Sequence, residues 1–175
     1  MTDDLPMPDE ILAAHDRIEV LYDLKYKGTM KAAPKRTLRR EVLEPAAEYD
    51  DLFHRAATLL WKIESAHIFE DANKRTAWTV TRAYLRRHGI EPPADHDLSE
   101  RVVRRAGKFD VDELAEWLET GEIDESRLPE IEDGETSTTI MNKQEREHEA
   151  DEGREWAELV DEIIEEDREI LDRLA

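Results

Sequence analysis

The stretch HIFEDANKRT, residues 67–76, gathers one histidine, two carboxylates, an asparagine and two cations into ten positions. Each type has a use around phosphorus. An imidazole such as His67 accepts a proton near neutral pH. Glu70 and Asp71 offer hard oxygen ligands of the kind magnesium takes when it is already held by a nucleotide's phosphates. Lys74 and Arg75 add charge where Asn73, a favoured capping type, opens a helix, and a helix start is itself an anion site. Arginine grips phosphate oxygens as a fork, whereas lysine acts as a point charge. A base, a metal ligand and an anion cradle together suit transfer of a phosphorus group to a hydroxyl. Taken singly, the same residues have plainer roles. A histidine at a helix end is commonly a cap, an Asn-Lys-Arg run is commonly a solvated helix start, and Phe69 reads as an apolar anchor pinning the loop.

Periodicity places this loop between helices. A first helix opens with Pro8 in its first turn and turns Ile11, Leu12, His15, Ile18, Leu21 and Tyr22 to one face. A second starts near Pro45, carries Tyr49, Leu52, Phe53, Ala56, Leu60 and Ile63, and ends close to His67. A third runs from about Lys74 to His88, with Ala77, Val80, Tyr84 and Leu85 inward and Gly89 as its stop. Ser99 is expected to cap a short helix holding Val102 and Val103. Asp110 and Glu113 form a capping pair ahead of Val111, Leu114, Trp117 and Leu118, and Gly121 ends that helix. No strand-length alternation occurs, so the fold class is all-α.

Composition narrows the classes. There are 45 acids against 25 bases, a net charge of −20, which disfavours nucleic acid and anionic lipid as partners. The acid excess, lysine scarce beside arginine and the absence of cysteine fit a halophilic cytoplasm. Without cysteine there are no disulfides, thiolate nucleophiles or thiolate metal sites. No apolar run reaches membrane-spanning length and the acidic N-terminus is unlike an export signal, so a cytoplasmic location is expected. Residues 130–175 hold 18 acids and 5 bases, and residues 1–129 hold 27 and 20. That shift divides the chain into a domain of 1–121, an acidic linker of 122–137 and an acidic amphipathic helical tail of 138–175. Trp156, Val160, Ile163, Ile170 and Leu174 make a seam interrupted at Asp167, and it is expected to pack on the parent domain. Against this trend, Lys25 to Arg40 carries seven cations and no acid.

With these residues in view, HIFEDANKRTAWTVTRAYLRRHG resembles the signature loop and following helix of the Fic/Doc proteins, in the Doc (death-on-curing) branch. The broader pattern H-P-F-x-[D/E]-G-N-G-R is met at His67, Phe69, Asp71, Asn73 and Arg75. It departs at Ile68, Ala72 and Lys74, as Doc members do. The resemblance spans roughly residues 9–120 and implies a Fic/Doc-type helical bundle with a C-terminal acidic helical extension. It implies His67 as general base, Asp71 as ligand of Mg²⁺, and Asn73, Lys74 and Arg75 as the nucleotide phosphate site, with Phe69 structural. ATP would be the substrate. Lys74 fills a space that glycine leaves open in AMP-transferring relatives, so the resemblance implies passage of the γ-phosphate to a Ser/Thr hydroxyl of a translation elongation factor. AMP transfer, or a non-catalytic regulatory binding protein, are the alternatives. It further implies a toxin with a cognate antitoxin, and a target-aligning flap at the basic stretch. Trp78 stands where many relatives have a second arginine. The tail segment HEADEG (His148, Glu152, Gly153) matches their self-inhibiting pattern only in part.

Overall fold

The computed structural model describes residues 4–91, 95–128 and 155–174. Among them the chain is helical, and the one β-type contact is an isolated bridge between Thr29 and Phe69. The linker beyond residue 128, the tail up to residue 154 and the HEADEG segment lie outside the described residues. No described helix is long and apolar enough to cross a membrane.

Helix α1 (Pro8–Tyr22) opens as expected on Pro8, and Glu10 reaches back to the Met7 amide at 2.9 Å. It buries Ile11, Ala14, His15 and Ile18, while Leu21 stays 38% exposed. The basic stretch enters a short helix α2 (Pro34–Leu38) and a π-helical turn (Arg39–Leu43), which runs into α3 (Glu44–Ala47). The expected second helix is therefore two pieces. The chain breaks after α3, and α4 (Leu52–Ala66) starts afresh on Asp51, whose side chain accepts from the His54 amide at 3.0 Å. A capping carboxylate in the sequence EYDD outweighs the continuous apolar periodicity.

Helix α5 (Asn73–Arg87) is the centre of the molecule. Every residue from Arg75 to Arg86 is buried, including Arg75, Arg82 and Arg86. A helix with arginines buried on its outer side requires a second layer, and two C-terminal helices supply it. These are α8 (Trp156–Glu166) and α9 (Arg168–Arg173), separated by a break at Asp167. Between them lie α6 (His96–Arg104) and α7 (Val111–Thr120). Asp95, not Ser99, caps α6, accepting from Leu98 N at 3.0 Å, and Ser99 is buried within the helix. The Asp110–Glu113 capping box and the left-handed Gly121 stop stand where the sequence places them.

The α8–α9 seam is apolar and tight. Leu159, Ile163 and Leu171 are fully buried, and Val160, Ile170 and Leu174 nearly so. Burying one such side chain stabilises by roughly 1.5–3 kcal/mol. The polar partners are as specific. Asp167, only 3% exposed, accepts from Trp78 Nε1 at 2.9 Å and pairs with Arg82 Nη1 at 2.7 Å. Arg82 and Arg86 also share the buried Glu91, and Arg86 reaches Glu166 at 2.6 Å. These two arginines are thus buried and ion-paired, although Arg82 Nε has no hydrogen-bond partner among the described residues.

Candidate active site

The loop from His67 to Ala72 joins α4 to α5, and both of its ends are left-handed. His67 terminates α4 at φ 46°, ψ 51°, and Ala72 precedes α5 at φ 64°, ψ 30°. Neither is glycine, so this backbone is held by its surroundings against a steric cost of about 1 kcal/mol per residue. The hold comes from Ile68 and Phe69, both fully buried. The Phe69 ring stacks on His15 with centroids 3.8 Å apart and planes 8° from parallel. His15 Nε2 lies 3.0 Å from the Asp71 carbonyl. A carbonyl only accepts, so that nitrogen carries the ring proton.

Two further ties fix the loop. Asn73 spans it, its Oδ1 accepting from Phe69 N at 3.2 Å while its Nδ2 donates to Phe69 O at 3.0 Å. Asn73 is therefore a clasp and the first residue of α5, not its cap. The cap position falls to Ala72, and no side chain caps the helix. The strip at 28–30 adds a second edge, with Met30 N donating to Ile68 O at 2.7 Å and Glu70 N to Gly28 O at 3.1 Å. Gly28 sits at φ +90°, a conformation few other residues adopt. The strip thus lies alongside the loop as the bridge from Thr29 to Phe69.

With its neighbours buried, His67 is left exposed at the rim. The start of α5 nearby offers main-chain amides that no side chain caps, at the positive end of the helix dipole. Asp71 is half-buried, and its Oδ1 accepts from the Ala72 amide at 2.7 Å. Its second oxygen has no hydrogen-bond partner among the described residues. Lys74 is 40% exposed, with Nζ 3.9 Å from Glu64 Oε1. Burial pushes the Glu64 carboxyl up to about 7, while the Lys74 charge pulls it the other way. Glu64 Oε2 is buried without a hydrogen-bond partner.

Arg75 is placed differently from its neighbours. Only 7% exposed, it donates from Nε to the Leu171 carbonyl at 2.7 Å, and its guanidinium lies 3.9 Å from the Tyr22 ring centroid. His67, Asp71 and Lys74 thus belong to one loop and helix start, Asn73 and Phe69 maintain it, and Arg75 connects it to the C-terminal helices. Three contributors escape a sequence reading. His15 shows only as one member of an amphipathic face, and Tyr22 as another. Glu64 carries no signal beyond standing one turn before His67.

Comparison with known proteins bears on the same region. The Fic/DOC family model matches residues 6–85, a span that includes α1, the basic strip, the loop and most of α5. A phage protein, "Protein kinase doc" of Escherichia phage P1, is 34% identical over 116 residues, covering 63% of this chain and 90% of that protein. No solved structure matches.

Proposed function

This chain belongs to the Fic/DOC family, in its Doc branch, and from that premise we propose that it transfers the γ-phosphate of ATP to a Ser or Thr hydroxyl of a protein target. The observation that carries this reading is the exposed His67, held at φ 46° on the rim of a loop whose other end is an uncapped helix start. A base and an anion site thereby flank one short loop.

The steps follow from the residues. A target hydroxyl at the rim passes its proton to the His67 imidazole as its oxygen attacks the γ-phosphorus. The bond to the bridging oxygen breaks, ADP leaves, and the imidazolium later releases the proton to solvent. Main-chain amides at the start of α5 and the Lys74 ammonium meet the phosphate charge. Asp71 keeps one oxygen unengaged on a half-buried hard carboxylate, a donor that fits magnesium. When bound with ATP, that ion would neutralise phosphate charge. The strip at 28–30 lies along the loop edge, where an extended target segment could be aligned by main-chain bonding.

The choice of γ-phosphate over AMP rests on Lys74, a long cation at a position that glycine fills in AMP-transferring relatives. We further read the protein as the toxin of a toxin–antitoxin pair in a halophilic cytoplasm, with a translation elongation factor as target and a cognate antitoxin as inhibitor. Incubation with elongation factor, Mg²⁺ and ATP labelled at either the α or the γ phosphorus tests the chemistry. Label should reach the target only from the γ position. Label arriving only from the α position would replace phosphate transfer by AMP transfer.

A further inference from the structure

Arg75 stands out because its partners lie 53 and 96 residues away in sequence, on α1 and on α9. Its Nε donates to the Leu171 carbonyl at 2.7 Å, and its guanidinium lies against the Tyr22 ring at 3.9 Å. The ring is itself fixed. Tyr22 Oη donates to Asp172 Oδ1 at 2.7 Å, and Arg168 approaches the same ring at 5.4 Å. Burial and the hydrogen bond to Asp172 push the phenol up to about 12, so it stays protonated and donates to that carboxylate. A flat ring on one side and a carbonyl at Nε set the plane and direction of the guanidinium. The two Nη groups, which form the fork that grips paired phosphate oxygens, have no partner among the described residues.

We propose that Tyr22 and the α9 turn at Leu171 are positioning residues for Arg75, so that the C-terminal helices form part of the nucleotide-binding unit. This rests on the reading that Arg75 meets the nucleotide's phosphates. It goes beyond that reading by assigning the task of orienting Arg75 jointly to Tyr22 and to a C-terminal turn outside the span matched by the family model.

The same contact could instead restrain Arg75 and keep the site idle, so the sign has to be argued. A restraint must be able to let go. Opening this one would expose water-excluded Leu159, Ile163 and Leu171 and break the buried Asp167–Arg82 pair. That loss is comparable with the stability of a whole small domain, whereas a switch works across a small gap between two states. The contact also runs the length of α5, with Arg75, Trp78, Arg82 and Arg86 on one strip meeting α8 and α9. A seam so continuous is a permanent support. It engages Nε and leaves the fork available, as a support for binding requires.

Full-length Tyr22→Leu and Tyr22→Phe variants test this, with folding checked by circular dichroism. Leucine removes the flat ring and keeps an apolar side chain. Phenylalanine keeps the ring and loses only the hydroxyl. Calorimetry with Mg-ATP should show affinity falling about tenfold in Tyr22→Leu, as for one misdirected charge-assisted contact, and staying within about twofold in Tyr22→Phe. Phenylglyoxal labelling followed by peptide mapping supplies a readout that needs no nucleotide. With the ring over one face of the guanidinium and Arg75 only 7% exposed, labelling of Arg75 should be slow in wild type and Tyr22→Phe and faster in Tyr22→Leu. Tyr22→Met, a second variant without the ring, serves if Tyr22→Leu does not fold. Tighter Mg-ATP binding in the ring-free variant would identify a restraint, and an unchanged labelling rate of Arg75 would remove the support; either overturns the proposal. A wild type that binds no Mg-ATP would defeat the proposed function, and the labelling would still decide whether Tyr22 holds Arg75.

Discussion

Replacing Glu64 by glutamine isolates the effect of one charge beside the candidate site. The Glu64 side chain is 16% exposed, with Oε1 3.9 Å from Lys74 Nζ and Oε2 buried and unpartnered. Burial raises its pKa from an ordinary 4.5 to about 7 despite the neighbouring lysine. The folded chain therefore holds this proton more tightly than the unfolded chain does. The stability it contributes is complete below the unfolded value and is lost as pH rises through about 7. A shift of that size corresponds to about 3 kcal/mol for a fully dehydrated group. Part of the carboxylate and much of Lys74 remain in solvent, and screening reduces the effect to about 1–2 kcal/mol. Glutamine keeps the shape and never ionises. Urea unfolding of wild type and Glu64→Gln should agree near about pH 4.5 and separate by about 1–2 kcal/mol near about pH 8, the variant being more stable. A separation independent of pH would refute the burial argument. A variant less stable at the alkaline end would show that the Lys74 pair outweighs dehydration.

Two other substitutions probe the loop. His67→Ala removes the proton acceptor from an exposed position, so phosphate transfer should fall about 100-fold or more in a labelled-ATP assay while Mg-ATP affinity changes little; a parallel loss of affinity would mean that the imidazole serves binding. Ala72→Gly relieves the left-handed backbone at φ 64°, and thermal unfolding should show a gain of about 0.5–1 kcal/mol, provided the loop keeps this conformation.

The sequence discloses some of this directly and hides the rest for identifiable reasons. Pro8, the Asp110–Glu113 box and Gly121 act through bonds to near neighbours, so their helix ends are legible. The loop was legible as a set of types, and its exposed histidine and buried phenylalanine follow from alternating chemistry. Boundaries decided by competing local bonds were harder. Asp51 interrupts an unbroken apolar period, Asp95 takes the cap expected of Ser99, and Asn73 turns from capping to clasping the loop. Contacts between distant segments left no local trace. Nothing in the neighbourhood of Tyr22 announces Arg75, and nothing near Glu64 announces Lys74.

The uneven distribution of acid shows the same limit. A tail richer in acid than its already acidic domain should be repelled as a body, yet α8 and α9 dock. Net charge governs long range, whereas docking is decided within a few ångströms. At that distance the domain presents arginines. Asp161 meets Arg17 at 2.8 Å, Asp167 meets Arg82 at 2.7 Å, and Glu166 meets Arg86 at 2.6 Å. Trp156 closes the row, donating from Nε1 to the Glu10 carbonyl at 2.9 Å with Arg87 lying over its ring. Pairs as deeply buried as Asp167–Arg82 need good geometry to offset the loss of water, and they destabilise strongly when one partner is missing. The arginines of α5 and the acids of the tail are therefore mutually required. A chain with the arginines and without the tail's acids would leave Glu91 to balance both Arg82 and Arg86 along the helix that begins at the candidate site.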